Sequence, residues 1–234
     1  MNFTKETWTI DDIHQIEKYL KVNASNSQKI NWTKNITRTQ KPLFACPNLD
    51  KIARQICKGN YKDFLDNNTF SSWDITQIYG YILTHEKDFF TLEKYLNKYV
   101  ENIDSWSNTD LLKFNTKHYE SELFELAKKY TKSEKTYTKR TGLKILFVYT
   151  NFPKYTSEIF SILNSFYNEK EYYVNMILAW IFCEMFIKNR DATIEYLKHH
   201  NLNNFVINKG IQKCRDSYRV SPEDKEFLLN YKVK

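Results

Sequence analysis

Trp106 and Asp110 stand four residues apart in Ser105-Trp106-Ser107-Asn108-Thr109-Asp110-Leu111-Leu112, the spacing that sets two side chains on one face of a helix. An indole beside a carboxylate can hold a cation; the same spacing also suits a core tryptophan followed by a solvated acid in a first turn. Lys139-Arg140-Thr141-Gly142-Leu143-Lys144 opens a run that continues through Ile145, Leu146, Phe147 and Val148. It predicts cations at the exposed start of a buried helix, with Arg140 able to clamp a phosphate through two parallel N–H bonds. Cations in a first turn oppose the helix dipole, so either solvation or an anionic ligand must offset them. Trp180, with Glu184 one turn later, lies in a nearly all-apolar helix and reads equally well as core. Trp32 followed by Lys34 interleaves an aromatic with cations, a pattern that suits base stacking beside a phosphate contact and also a hydrophobic staple.

The C-terminal run carries the densest cationic spacing. Lys209 and Lys213 stand at i,i+4, as do Arg215 and Arg219, and like charges so placed cost a helix about 0.2–0.5 kcal/mol per pair. A polyanion would offset that cost and add counterion release; a solvated basic face is the plainer alternative. The net charge of +7 is not evenly spread: residues 28–41 hold +4, residues 128–144 hold +6 and residues 203–219 hold +3, leaving −6 for the rest. A surface that gathers these segments would steer an anionic partner. His14, His85, His118, His199 and His200 form no ligand spacing, the four cysteines form no CxxC pair, and there is no Gly-rich phosphate loop and no GxSxG, so neither metal nor cofactor is expected. A reduced cytoplasmic setting with no secretory segment is the expectation.

The elements that must position these residues are helices. Only 4 Gly and 4 Pro occur among 234 residues, with 41% hydrophobic content, which suits helices joined by short polar loops and a large core. Breaks in periodicity near 22–27, 41–47, 67–71, 85–88, 101–105, 131–134, 151–155, 168–170, 189–191, 201–203 and 220 predict roughly a dozen helices. Pro47 is expected as the first residue of one, ended by Gly59. Ser221 is expected to cap the last, with Asp224 completing a capping box. The apolar run 172–187, interrupted by Asn175 and Glu184, is too short to span a membrane and predicts a buried helix. No Gly-, Ser- or Pro-rich linker divides the chain, so a single domain over 1–234 is expected. Periodicity alone leaves a bundle and a stack of helix pairs equally open.

Together these segments resemble the AlkD-type DNA alkylation repair family, HEAT-like helical-repeat proteins that include glycosylases acting on N3- and N7-alkylated purines. Trp106-Ser107-Asn108-Thr109-Asp110 resembles the family's Trp-x-x-x-Asp element, Lys139-Arg140-Thr141 its arginine-bearing helix, and Tyr172 through Trp180 the later helix with a second cleft tryptophan. The stretch from Asn208 to Lys225 is similar to a branch of low-GC bacteria. The resemblance covers about 32–225. It implies an all-α, C-shaped solenoid of stacked antiparallel helix pairs, HEAT-like or armadillo-like, whose basic concave face holds alkylated duplex DNA. It also implies a monomer in the bacterial cytoplasm, at the nucleoid, with no obligate protein partner, cofactor or metal.

Carried over to these positions, Trp106 and Trp180 would line the lesion-bearing sugar, Asp110 would face its anomeric carbon and Arg140 would grip a neighbouring phosphate. Trp32, Lys34, Lys139, Lys144, Lys209, Lys213, Arg215 and Arg219 would contact DNA. The chain departs from the family at Phe44-Ala45, where a glycine is usual, and at Asp50, where a cation is common. A non-catalytic binder of distorted or branched DNA and a helical scaffold for a protein partner are the alternatives.

Overall fold

A computed structural model describes residues 1–233. Among them there are fourteen α-helices, two short 3-10 turns and no strand: α1 (Ile10–Val22), α2 (Ser27–Thr37), α3 (Leu49–Ile56), α4 (Tyr61–Asn67), α5 (Trp73–Leu83), α6 (Phe89–Asn102), α7 (Trp106–Asp110), α8 (Glu120–Thr131), α9 (Thr136–Tyr149), α10 (Thr156–Asn164), α11 (Tyr172–Lys188), α12 (Arg190–Leu197), α13 (Asn204–Asp216) and α14 (Pro222–Phe227). The chain packs as two compact units, residues 1–120 and 121–234. No helix of the described residues is long and apolar enough to cross a membrane.

In the first unit, α3 lies against α5, and α5 against α6 and α7. Each apolar stripe supplies the contact: Leu49, Ile52, Ala53 and Ile56 from α3, Ile75, Ile78 and Ile82 from α5, Leu92, Leu96 and Val100 from α6. Tyr79 and Tyr99 stack with centroids 5.6 Å apart, and Phe70 packs on both. The loop from Phe44 to Cys46 folds around the fully buried Asp74, whose carboxylate accepts from the N–H groups of Phe44 and Cys46 at 2.8 Å each. Ala45 there has φ 51°, the left-handed region that favours glycine. The Asp74 carboxylate, by taking the N–H groups on either side, holds Ala45 in that conformation.

In the second unit, α9, α11 and α13 lie side by side, each packed on the next. Close approach is built into two glycines. A Cβ at Gly142 would stand 2.8 Å from both the Ala127 carbonyl oxygen and the Thr131 nitrogen of α8, and one at Gly210 would stand 2.5 Å from the Phe182 ring. Helix α10 meets α12 where Phe160 and Tyr196 stack at 4.2 Å and the Tyr196 hydroxyl bonds Asn164. Helices that contact the next-but-one in sequence in two layers make the solenoid-like packing of paired helices expected above.

The helix-end expectations divide. Ser221 caps α14 by accepting from the Asp224 N–H at 3.1 Å with Pro222 first in the helix, as expected. The Asp224 carboxylate, however, takes Arg190 at 2.6 Å instead of closing a capping box. Pro47 does not open α3: it sits in the preceding turn, and Asn48 in the left-handed region at φ 60° precedes Leu49. The expected run was therefore two residues too long at its start.

Candidate functional site

In the first unit, α7 is a single turn, so Trp106 and Asp110 share a face as the spacing predicts. Both are half-buried. Ser105 caps α7 through the Ser107 N–H and sends its own hydroxyl to the Thr37 carbonyl at 2.7 Å, while the Trp106 indole N–H donates to the Ile36 carbonyl at 2.9 Å. Those carbonyls belong to the last turn of α2, where four C=O groups lack partners within the helix. Asp104 continues the seam by accepting from the Thr39 hydroxyl at 2.9 Å and the Gln40 N–H at 2.8 Å. The indole is tied to α2 by its edge N–H. The Thr109 hydroxyl donates to the Trp106 carbonyl at 2.8 Å and also lies 3.2 Å from the Asp110 carboxylate.

Helix α2 carries Trp32 and Lys34, both exposed, and buries only Thr37. Of the acid-free segment 28–41, Lys41 does not face solvent as a basic surface would require. Its ammonium lies 2.7 Å from the Asn102 carbonyl and 3.1 Å from the Thr76 hydroxyl, and desolvation lowers its pKa against the pull of Asp104.

In the second unit the residues expected to act on phosphate take unequal positions. Arg140 is in the second turn of α9 and only 3% exposed, with its guanidinium donating to the Tyr173 carbonyl at the start of α11. The expectation of an exposed cation at that helix start is corrected: the residue is buried because α11 lies across it. Its neighbour Lys139 is paired with Glu169 at 2.8 Å, both largely buried. Burial raises the Glu169 carboxyl, and the bonds from Lys139 and from the Glu171 and Lys170 N–H groups outweigh it, leaving the group below its usual pKa.

An open cleft of about 390 Å³ lies between α9, α11 and α13, lined by Phe147, Trp180, Cys183, Lys213, Ser217 and Arg219 among others. Trp180 is 38% exposed at this cleft, not core, and the Lys213 ammonium stands 4.6 Å from its ring centroid. Lys213 has a lowered pKa, first through desolvation and then through the positive field of Lys209, with a smaller contribution from Arg140. Lys144 lies over Phe147 at 5.7 Å.

Arg219 bonds Glu184, which also holds Lys188 at 3.1 Å. Burial raises the Glu184 carboxyl, but these two cations bring it below its ordinary value. Lys209 reaches Gln212 at 2.8 Å and Arg215 is exposed. Sequence reasoning missed Ser105, Thr109, Phe147 and Cys183 as neighbours of the candidate residues, since only the helix packing identifies them.

The comparisons with known proteins bear on what these two sets of residues serve. No curated protein sequence matches the chain. The family model described as DNA alkylation repair enzyme matches residues 16–214, starting earlier than the resemblance read from Trp32 and stopping at Cys214, before Arg215, Arg219 and α14. With most of its length so matched, and with Trp106, Asp110, Arg140 and Trp180 all inside the matched span, the chain belongs to the DNA alkylation repair enzyme family.

Proposed function

We propose that the protein is a DNA glycosylase that hydrolyses the N-glycosidic bond of cationic N3- or N7-alkylated purines in duplex DNA. The observation that carries this reading is the half-buried Asp110 one helical turn from Trp106, with the indole edge anchored on α2. Family membership supports DNA as the substrate.

An alkylated purine of this kind already bears positive charge. When its C1′–N bond breaks, the electron pair stays with the base and neutralises it, and the sugar becomes an oxocarbenium-like cation. Water then adds to C1′ and loses a proton, giving the free base and an abasic sugar. The demand on the protein is stabilisation of positive charge and placement of one water, and Asp110 serves both as counter-charge and as acceptor of the water's proton. A fixed charge aimed at a developing one is worth about 3 kcal/mol, by analogy with single preorganised donors. The Trp106 indole face adds about 0.5–2 kcal/mol by cation–π attraction. This scheme does not require the base to enter a pocket, unlike the commoner route of base flipping.

Incubation with duplex carrying a single N7-methylguanine tests the reading. The wild type is expected to release the free base, and Asp110→Asn to lower the rate by about 10²-fold, the equivalent of some 3 kcal/mol, with binding retained. A wild type that binds this duplex and never releases base would sink the enzyme reading.

One observation favours a second reading. The Lys213 ammonium already stands against Trp180, so a cationic sugar at that ring has to displace Lys213 or use the opposite face. A non-catalytic binder of distorted DNA needs no such exchange, and it would show affinity for bulged or branched duplexes without turnover.

A further inference from the structure

We propose that Tyr218, in the loop between α13 and α14, is a stacking platform for an unpaired nucleobase of bound DNA. The proposal rests on the DNA-binding reading above and adds a ligand contact outside the family-matched span, which ends at Cys214.

Tyr218 is 94% exposed, the most exposed large apolar side chain among the described residues. Such exposure is common where a loop is loose, but this loop is tied on both sides of the ring. The Ser217 N–H bonds the Cys214 carbonyl at 3.2 Å, ending α13. The Ser217 hydroxyl then accepts the Arg219 N–H at 3.2 Å, closing a short turn around Tyr218. Arg219 is held by Glu184 of α11, Val220 is buried at 6% exposure, and Ser221 caps α14. The backbone is pinned while the ring stands in solvent. A tyrosine has only two side-chain torsions to fix, so a ring presented this way contacts a partner at small entropic cost.

The surroundings select the partner. Ser217 and Arg219, on either side of Tyr218, line the same cleft as Trp180 and Lys213, and Arg215 is exposed one turn earlier on α13. Asp216 and Glu184 also line this cleft, Glu184 being taken up by Arg219 and Lys188, and neither Lys213 nor Arg215 is within salt-bridge distance of a carboxylate among the described residues. An aromatic face flanked by cations matches a base lying flat beside its own phosphate. Duplex DNA with every base paired offers no such face except at its ends, so the proposal specifies an unstacked base.

The test uses the full chain and a duplex bearing one bulged 2-aminopurine, with the fully paired duplex as control. Tyr218→Ala is expected to weaken binding to the bulged duplex by about 5- to 150-fold, the range measured per stacked base. Tyr218→Phe is expected to stay within about twofold, because stacking needs the ring and not the hydroxyl. Wild type and Tyr218→Phe should quench the 2-aminopurine emission on binding and Tyr218→Ala should not. The salt dependence of binding should be the same for Tyr218→Ala as for wild type, because no phosphate contact is lost.

If Tyr218→Ala binds and quenches like the wild type, or if Tyr218→Phe loses as much as Tyr218→Ala, the stacking proposal is overturned and the DNA-binding reading stands. If the wild type binds neither duplex, both are overturned.

Discussion

Truncating Arg140 to alanine is expected to destabilise the protein by about 2 kcal/mol, the scale of a charge-assisted hydrogen bond, because the guanidinium is buried and holds the Tyr173 carbonyl. Urea denaturation of Arg140→Ala beside Asp110→Asn checks this: the first should lower the midpoint and the second should leave it near wild type. An Arg140 variant as stable as the wild type would show that the buried contact contributes little. The pairing of Trp106 with Asp110 could be read from sequence because both partners lie within one turn. The partners of Lys139 and Arg219 could not. Glu169 and Glu184 lie 30 and 35 residues away, and spacing within a helix says nothing about an acid on the neighbouring one.

At the scale of elements, Glu184 ties α11 to the loop after α13 through Arg219 and to its own helix through Lys188. Its carboxyl is held below the ordinary value of 4.5. A carboxyl with a lowered pKa in the folded state lends stability above its unfolded pKa and loses it as pH falls through the folded one. Stability is therefore expected to drop from about pH 4.5 downward, and Glu184→Gln should flatten that part of a plot of denaturation midpoint against pH. A drop of the same size in Glu184→Gln would assign the acid sensitivity to other groups. Helix boundaries were legible wherever a polar break interrupts the apolar period, as at residues 22–27, 101–105 and 189–191. The start of α3 was not, because Asn48 in the left-handed region has no periodic signature. Local sequence alone reads Trp180 as core, and the family resemblance puts it in a cleft; its exposure there depends on where α13 lies.

For the molecule as a whole, the charge segments locate the surface chemistry only after the internal pairs are removed. Lys41 is turned inward, and Lys139 and Arg219 hold carboxylates. Lys34 in the first unit and Lys209, Lys213 and Arg215 in the second have no carboxylate partner among the described residues. Three phosphate contacts from the second unit predict a log–log salt slope of about −2.7, and two a slope of about −1.8. Arg215→Ala is expected to move the measured slope from the first value to the second; an unchanged slope would mean that this arginine does not meet a phosphate.

The seam between α2 and α7 bears on how Trp106 itself should be understood. Its edge N–H closes one of the open carbonyls that terminate α2, and neither phenylalanine nor tyrosine carries a donor at that place on the ring. Selection on the fold alone would keep an indole here, since losing it would let the preceding helix fray. The tryptophan therefore marks an architecture whatever its faces meet.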